Sequence, residues 1–234
     1  MAYGVADMST LKVDPESGKQ KPDYRWNDEE LTEQVYLNHL IGTQSIGVQP
    51  CNENSNARFG VVDVDPKNYT NFDKKFFIDI IQNYNLPLIP ILSKSGGLHL
   101  YLFMSEFVPA VLIRSFLSNL LPLFKLKPDC EIFPKQTQLT KDNETGQLNK
   151  GNFINLPYFK KSERVAINVD GTAFTFDQFI EVLESNTATP EKLKTITESI
   201  EQKDLEGVDK EFDDGPPCLA HLSKIMKNPG FDGK

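Results

Sequence analysis

Cysteine is scarce: Cys51, Cys130 and Cys218 are the only three in 234 residues, far apart, with no CxxC pair and no histidine at metal-ligand spacing. That pattern supports neither a disulfide framework nor a zinc site, and reduced, structural thiols are expected. Long hydrophobic runs are missing as well. The longest, such as LPLIPIL, are short and broken by proline, so no bilayer span and no membrane partner is expected. The opening stretch MAYGVADMSTLKVDPESGKQK is polar and of mixed charge, unlike a secretory leader, which leads to the expectation of a cytoplasmic protein.

An excess of positive charge is the third absence. The net charge is -8, which at first argues against a nucleic-acid partner, because phosphate-binding surfaces are usually basic. The distribution weakens that objection. Residues 181–214 hold eleven acidic side chains against Lys192, Lys194, Lys203 and Lys210, about -7 in all, so the rest of the chain is nearly neutral. A run of this kind reads as a solvated helical face rather than as a mimic of nucleic acid.

What remains is an ordinary apolar share, 39% of the chain, enough for one or two domains with a real core. Asn27 followed by Glu30 resembles a capping pair, and Leu31, Val35 and Leu40 recur at roughly helical spacing, which predicts an N-terminal helix. SIGVQP reads as a short strand. Next come a strand at 58–64, a helix at 69–84 carrying Phe72, Phe76, Phe77, Ile80 and Ile81, and a strand at 86–93. SGG makes a turn, and a strand at 98–104, a helix at 109–124, a strand at 129–134 and a further strand in NFINLPYF follow. RVAINVDGTAF reads as a hairpin turning at Asp170-Gly171, with helices starting at Phe176 and at Pro190, the latter capped by Thr189.

The β-α-β-β-α-β order predicts an α+β fold of the split βαβ type. This is the ferredoxin-like or RRM-like palm: an antiparallel sheet with both helices on one face and the other face free. An additional N-terminal α/β unit and C-terminal helices complete the expectation. In this arrangement the first strand lies between the third and the fourth and runs antiparallel to both, so the end of FGVVDVD meets the beginnings of LHLYLF and CEIFPK. Period-two alternation sends Val62 and Val64 toward the helices and Asp63 and Asp65 to the free face. Leu98, Leu100 and Leu102 take the helix side. His99, Tyr101 and Phe103 face outward, as do Asp129, Glu131 and Phe133.

Neighbouring carboxylates are costly unless a cation neutralises them, and hard divalent cations take oxygen ligands. Asp63, Asp65 and Glu131 therefore form a candidate site for Mg²⁺ or Mn²⁺, with Asp129 of the same parity as Glu131. Two ions about 4 Å apart would activate an attacking hydroxyl and steady a leaving pyrophosphate. The plainer reading, that a D-x-D ends a strand and caps the next helix, holds for an isolated pair but is outweighed by the convergence of three segments. In LSKSGGLHLYLF, Gly96 and Gly97 allow close backbone approach, Lys94 and Ser95 can meet phosphate oxygens, and His99 can donate to a triphosphate. Taken singly, a glycine pair is a turn and a lone histidine a satisfied core residue. Tyr101 and Phe103 either stack bases or pack beneath another element. Lys135 and Gln136, and Lys150 and Asn152 on the next strand, are placed to hold a triphosphate or a template backbone. Lys74, Lys75, Arg114, Lys125, Lys127, Lys160 and Lys161 add positive charge around the core and are solvated by default.

Taken together and in order, VVDVDP, SKSGGLHLYLF, CEIFPKQ and GNFINLPYF resemble the catalytic core of archaeo-eukaryotic primases over residues 46–159, most closely the primase-polymerase domains of phages and other mobile elements. The resemblance implies Asp63 and Asp65 as the first motif, SGGLH as the second, with His99 on the incoming nucleotide, and Glu131 as the acid of the third. The second motif is commonly Ser-x-His. Here Gly97 stands two before His99, and Ser95 is the serine at hand. The implied activity is that of a DNA primase or DNA-directed polymerase. It would act in DNA replication on single-stranded or primed DNA with NTP or dNTP, in the host cytoplasm if phage-encoded. The expected organisation is a catalytic core at 1–186, an acidic helical linker at 187–214 and the start of a helical element at 215–234. By the same resemblance the chain is expected to be an N-terminal fragment with a downstream helicase domain or protein. Two other classes fit parts of the pattern. One is a non-catalytic RRM-like nucleic-acid-binding module that stacks bases on Tyr101, Phe103 and Phe133. The other is a further metal-nucleotide enzyme, such as a nucleotidyl cyclase or a D-x-D glycosyltransferase.

Overall fold

The structure is a computed structural model and describes residues 3–13, 20–69, 71–141, 149–160 and 162–213. Lys161, Cys218 and the element expected at 215–234 lie outside the described residues. The described chain is mixed α/β, with two four-stranded antiparallel sheets and five helices, and it divides after Pro190 into two compact units.

The first sheet starts with a ribbon, β1 (Tyr3–Val13) paired with β2 (Gln20–Asn27), then α1 (Glu33–Ile41) and β3 (Gln44–Val48). Asn27 does not cap a helix, contrary to the sequence expectation. It pairs in register with Tyr3 at the end of the ribbon, its side chain accepts from the Glu29 N–H at 3.0 Å, and its amide donates to the Tyr3 hydroxyl at 2.9 Å. The ladder with β1 holds the chain extended through Asn27, so α1 begins only after Thr32.

The second sheet holds β4 (Asn56–Val64), β5 (Leu88–Leu92), β6 (Leu98–Pro109) and β7 (Glu131–Phe133) in the order β5-β6-β4-β7. Helix α2 (Lys74–Asn83) joins β4 to β5, and α3 (Ala110–Leu120) joins β6 to β7. On one face Val62, Val64, Leu98, Leu100 and Leu102 are buried. Ile113, Phe116, Leu117 and Leu120 of α3 are buried too, in the three- and four-residue steps of an amphipathic helix. Each such side chain contributes about 1.5–3 kcal/mol when removed from water.

The opposite face departs from expectation. The sequence pattern predicts it to be open, yet Val61, Ile89, Ile91, Tyr101 and Phe133 form a second core with Ile154, Ala166 and Phe179. Tyr101 is 2% exposed, and its hydroxyl donates to the Asn155 carbonyl at 3.3 Å. The physical reason is the run of large apolar side chains along β4 and β6, a surface too extensive to leave wet. It is covered by β8 (Ile154–Asn155), by Tyr158 and Ala166, and by α4 (Phe176–Asn186), whose start carries a capping box between Thr175 and Gln178. NFINLPYF thus supplies a strand to the first sheet, where β8 pairs with β3. Residues 165–167 lie along the outer edge of β5, through Leu92 N–H to Val165 O at 2.9 Å and Ile167 N–H to Pro90 O at 3.0 Å. In the second unit the acidic stretch runs through α5 (Pro190–Asp213).

One buried histidine ties these parts together. His39 of α1 bonds through Nε2 to the Pro157 carbonyl at 2.8 Å, while its Nδ1 accepts from the Ile46 N–H at 3.1 Å. Those two bonds require the neutral ring with its proton on Nε2. Burial lowers its pKa; the Pro157 bond offsets part of that, and the Arg164 guanidinium adds a smaller push downward. The unfolded chain therefore binds a proton at this site before the folded chain does, and stability rises with pH. The contribution is complete above the ordinary histidine value of about 6.5 and is lost as pH falls below it. Thermal midpoints measured from pH 7.5 down to pH 5.5 are expected to fall, and His39→Gln is expected to flatten that slope. An equally steep slope in the variant would count against this account.

Candidate nucleotide and metal site

The end of β4 is where the sequence-derived site residues meet. Asp63 lies directly across from His99 of β6 on one side and from Glu131 of β7 on the other. Cross-strand partners point to the same face with Cβ atoms about 5 Å apart, so Asp63, His99 and Glu131 form a row across three strands. Asp65, two residues on, keeps the same parity. It caps the 3-10 turn Pro66–Asn68, accepting from the Lys67 N–H at 3.1 Å. Asp129 is exposed and lies outside β7, without a place in the row.

Each carboxylate already has a nitrogen beside it. His99 Nε2 is 3.4 Å from Asp63, Lys67 Nζ is 3.1 Å from Asp65, and Lys135 Nζ is 2.9 Å from Glu131. Among the described residues no three His, Cys, Asp or Glu side chains converge closely enough to hold a metal ion. The donor chemistry is of the kind a hard divalent cation takes: the carboxylates of Asp63 and Glu131 stand opposite each other in register, and that of Asp65 follows two residues on.

The loop before β6 packs against this row. Ser93 N–H donates to Gly97 O at 3.0 Å, Gly96 N–H donates to Ser93 O at 3.1 Å, and Gly97 N–H donates to the Ser93 hydroxyl at 3.1 Å. That hydroxyl also bonds Ser95 Oγ at 2.9 Å. Gly96 adopts φ +84°, and Lys94, Ser95 and Gly96 are exposed. Gly97 is pressed on the end of β4: a Cβ there would stand 2.1 Å from the Val64 carbonyl oxygen and 2.7 Å from Pro66 Cδ. The glycine is what lets the loop approach Val64 and Pro66, the residues on either side of Asp65.

Ser93 was missed by sequence reasoning; its place as the last residue before the turn was the available signal. Cys130, expected from sequence as a reduced structural thiol, is a free cysteine placed beside Asp63. Its thiol donates to the Asp63 carbonyl at 3.4 Å, and burial pushes its pKa up. Tyr69 beside it is pushed up to about 12, first by burial and then by Cys130.

Several cations considered from sequence serve the fold. Arg114 Nη1 donates to the carbonyls of Ile132 and Pro134, both at 2.9 Å, and Lys75 pairs with Asp79 at 2.7 Å. Lys150 pairs with Asp28 at 2.6 Å, and Asn152 accepts from Gln136 at 2.6 Å. No helix among the described residues is long and apolar enough to cross a membrane.

Among curated proteins none matches the chain. Residues 14–199 match the family described as "TOTE conflict system, Archaeo-Eukaryotic Primase domain", a span that contains every residue of the row and of the loop packed on it. The chain therefore belongs to the archaeo-eukaryotic primase family, a primase-like nucleotidyltransferase superfamily of generally metal-dependent domains that bind nucleotides and nucleic acid.

Proposed function

We propose that this chain is a primase-polymerase, transferring nucleotides from NTP or dNTP to a strand growing on a DNA template. The observation that carries this reading is the register that sets Asp63 between His99 and Glu131, with the Gly97 loop packed on the strand end beside them. The strand order β5-β6-β4-β7, with α2 and α3 as its connections, supports an RRM-like palm. Asp63, Asp65 and Glu131 would hold two Mg²⁺ or Mn²⁺ ions, which when bound supply activation of the attacking hydroxyl and neutralisation of the leaving pyrophosphate. Lys94, Ser95 and the backbone at Gly96 and Gly97 would grip the triphosphate from the loop, with His99 and Lys135 beside it. The catalytic core would span 1–186, with 187–214 a linker to a further module and a helicase domain or protein acting downstream in replication.

Burial of Tyr101 and Phe133, at 2% and 5% exposure, removes the stacking platform that a purely nucleic-acid-binding module would need. The decisive assay incubates the chain with labelled nucleotides, Mn²⁺ and either single-stranded or primed DNA. Chain extension is expected; a cyclic nucleotide, sugar transfer or no product would reject the reading. His99→Ala is expected to raise KM for the nucleotide about tenfold to a hundredfold, as for the loss of one hydrogen bond to a charged group, with template affinity nearly unchanged. Steady-state kinetics beside a DNA-binding titration would separate the two, and a selective loss of DNA affinity would overturn the assignment of His99.

A further inference from the structure

A cleft of about 490 Å³ opens between the start of α2 and the turn that follows α3, within the about 300–1,000 Å³ of small-ligand sites. Aromatic rings line it, those of Phe72, Phe76 and Phe77 among them, and Asn68, Asn71 and Lys125 add amides and a cation. Tyr69, also on the lining, hydrogen-bonds the Cys130 thiol, which donates to the Asp63 carbonyl at 3.4 Å. Two side chains thus join the cleft to the row of acids.

Packing accounts for part of this surface. Phe77 and Phe124 are 4% and 1% exposed and stack at 5.6 Å, and Phe72, just before the Asp73 cap of α2, lies 5.6 Å from Phe77 as a hydrophobic staple. Phe76 and Lys125 are left over. Phe76 is half-buried on the cleft, and the exposed Lys125 holds Nζ 5.4 Å from its ring centroid. Lys125 does so from φ +52°, a left-handed backbone that glycine takes more readily, so the turn gives up stability to keep a cation there. Lys67 and Lys75 are already paired, with Asp65 and Asp79. Among the described residues beside the lining, that leaves Lys74, Lys125 and Lys127, whose backbone hydrogen-bonds the Tyr69 hydroxyl, against Asp129 and Asp73. One oxygen of Asp73 is spent on the Lys75 N–H at 2.9 Å. Cations outnumber carboxylates here, in a chain of net charge -8. A ring face for stacking, amides that offer a base edge both donor and acceptor, and a cation for the adjoining phosphate are together what an unpaired nucleotide requires. An apolar helix would use neither the amides nor the lysine.

We propose that this cleft takes one unpaired base of the DNA strand, with the base on Phe76 and its phosphate on Lys125, where the strand passes the end of β4. The proposal rests on the reading of the chain as one that acts on a DNA template, and it gives that strand a second contact outside the row of acids.

The test uses the full chain, its Asp63→Asn variant and three fluorescent single strands of about 12 nucleotides: one of ordinary DNA, one abasic throughout, and one carrying 5-iodouracil, which on irradiation crosslinks to an aromatic side chain stacked on it. Mass spectrometry is expected to map the crosslink to Tyr69, Phe72 or Phe76 in both chains. Fluorescence anisotropy should show the abasic strand bound about tenfold more weakly than ordinary DNA, the loss expected for one stacked base. Phe76→Leu keeps an apolar side chain without the ring face and should weaken ordinary DNA about fivefold while leaving the abasic strand unchanged. Lys125→Gly should weaken both strands about fivefold, with a melting temperature equal to or above that of the parent because glycine relieves the left-handed backbone. Equal affinity for the two strands, crosslinks confined to other aromatic residues, or parental binding in Phe76→Leu would overturn the proposal. So would a cleft crosslinked by free 5-iodo-dUTP but not by the strand. Cleft crosslinks in a chain that extends no primer would sink the catalytic reading alone, whereas extension without them would sink this proposal alone.

Discussion

Asp63→Asn is expected to reduce primer extension about a thousandfold or more while leaving the fold intact. Divalent cations contribute several kcal/mol to a phosphoryl-transfer transition state, and each 1.36 kcal/mol is a factor of about ten in rate. The amide keeps the shape of the side chain and one oxygen but loses the charge that makes it a ligand for a hard cation. Asp63 is half-buried at the rim of the sheet rather than in the core, so the thermal midpoint should stay near that of the parent chain. Glu131→Gln should behave alike, because Glu131 stands opposite Asp63 in the ladder. Asp129→Asn should have little effect, because Asp129 lies outside the strand. Parallel extension assays in Mn²⁺ with melting curves check all three. Retained activity in Asp63→Asn, or an inactive Asp129→Asn beside an active Glu131→Gln, would contradict the assignment.

Gly97→Ala is expected to damage stability and activity together. The added Cβ would meet the Val64 carbonyl oxygen at 2.1 Å, and a backbone atom inside a sheet ladder cannot swing aside. Either β4 or the loop must move, at a cost of about 1–3 kcal/mol as in other overpacked sites, roughly 2–12 °C in melting temperature for a chain of this size. The loop is the freer of the two, so Lys94 and Ser95 would shift relative to Asp63 and Asp65. Displacements of about 1 Å cost about a hundredfold in rate where groups must be aligned. Gly96→Ala provides the contrast. Its Cβ would enter open space, so only the positive φ opposes it, and most activity should remain. A Gly97→Ala chain with the parental melting temperature would refute the packing argument.

Residue parity explains what could be read from the chain beforehand. Along VVDVD and LHLYLF strict alternation separates Val62, Val64, Leu98, Leu100 and Leu102 from Asp63, Asp65 and His99, and a one-residue slip would have buried the carboxylates. A short turn at SGG leaves little freedom in pairing β5 with β6. The covering of the second face was not legible, because an aromatic at 101 or 103 looks the same whether it awaits a base or a helix. Two-residue β8 has too little pattern to name its partner, so its place beside β3 depends on tertiary packing. The β1–β2 ribbon escaped notice because lysines, aspartates and Pro22 interrupt its alternation, and Asn27 then imitated a helix cap. Ser93 and Cys130 act through backbone groups brought near only by folding. The lysines on Asp65 and Glu131 are sequence neighbours, but only the folded backbone aims them at those carboxylates.

Arg114 carries a consequence for how damage would spread. Its guanidinium crosses from the underside of the sheet to clasp Ile132 and Pro134, anchoring a three-residue outer strand that would otherwise fray like a loose hem. Glu131 is the first stitch of that hem. A lesion in the middle of α3 would therefore surface at Glu131.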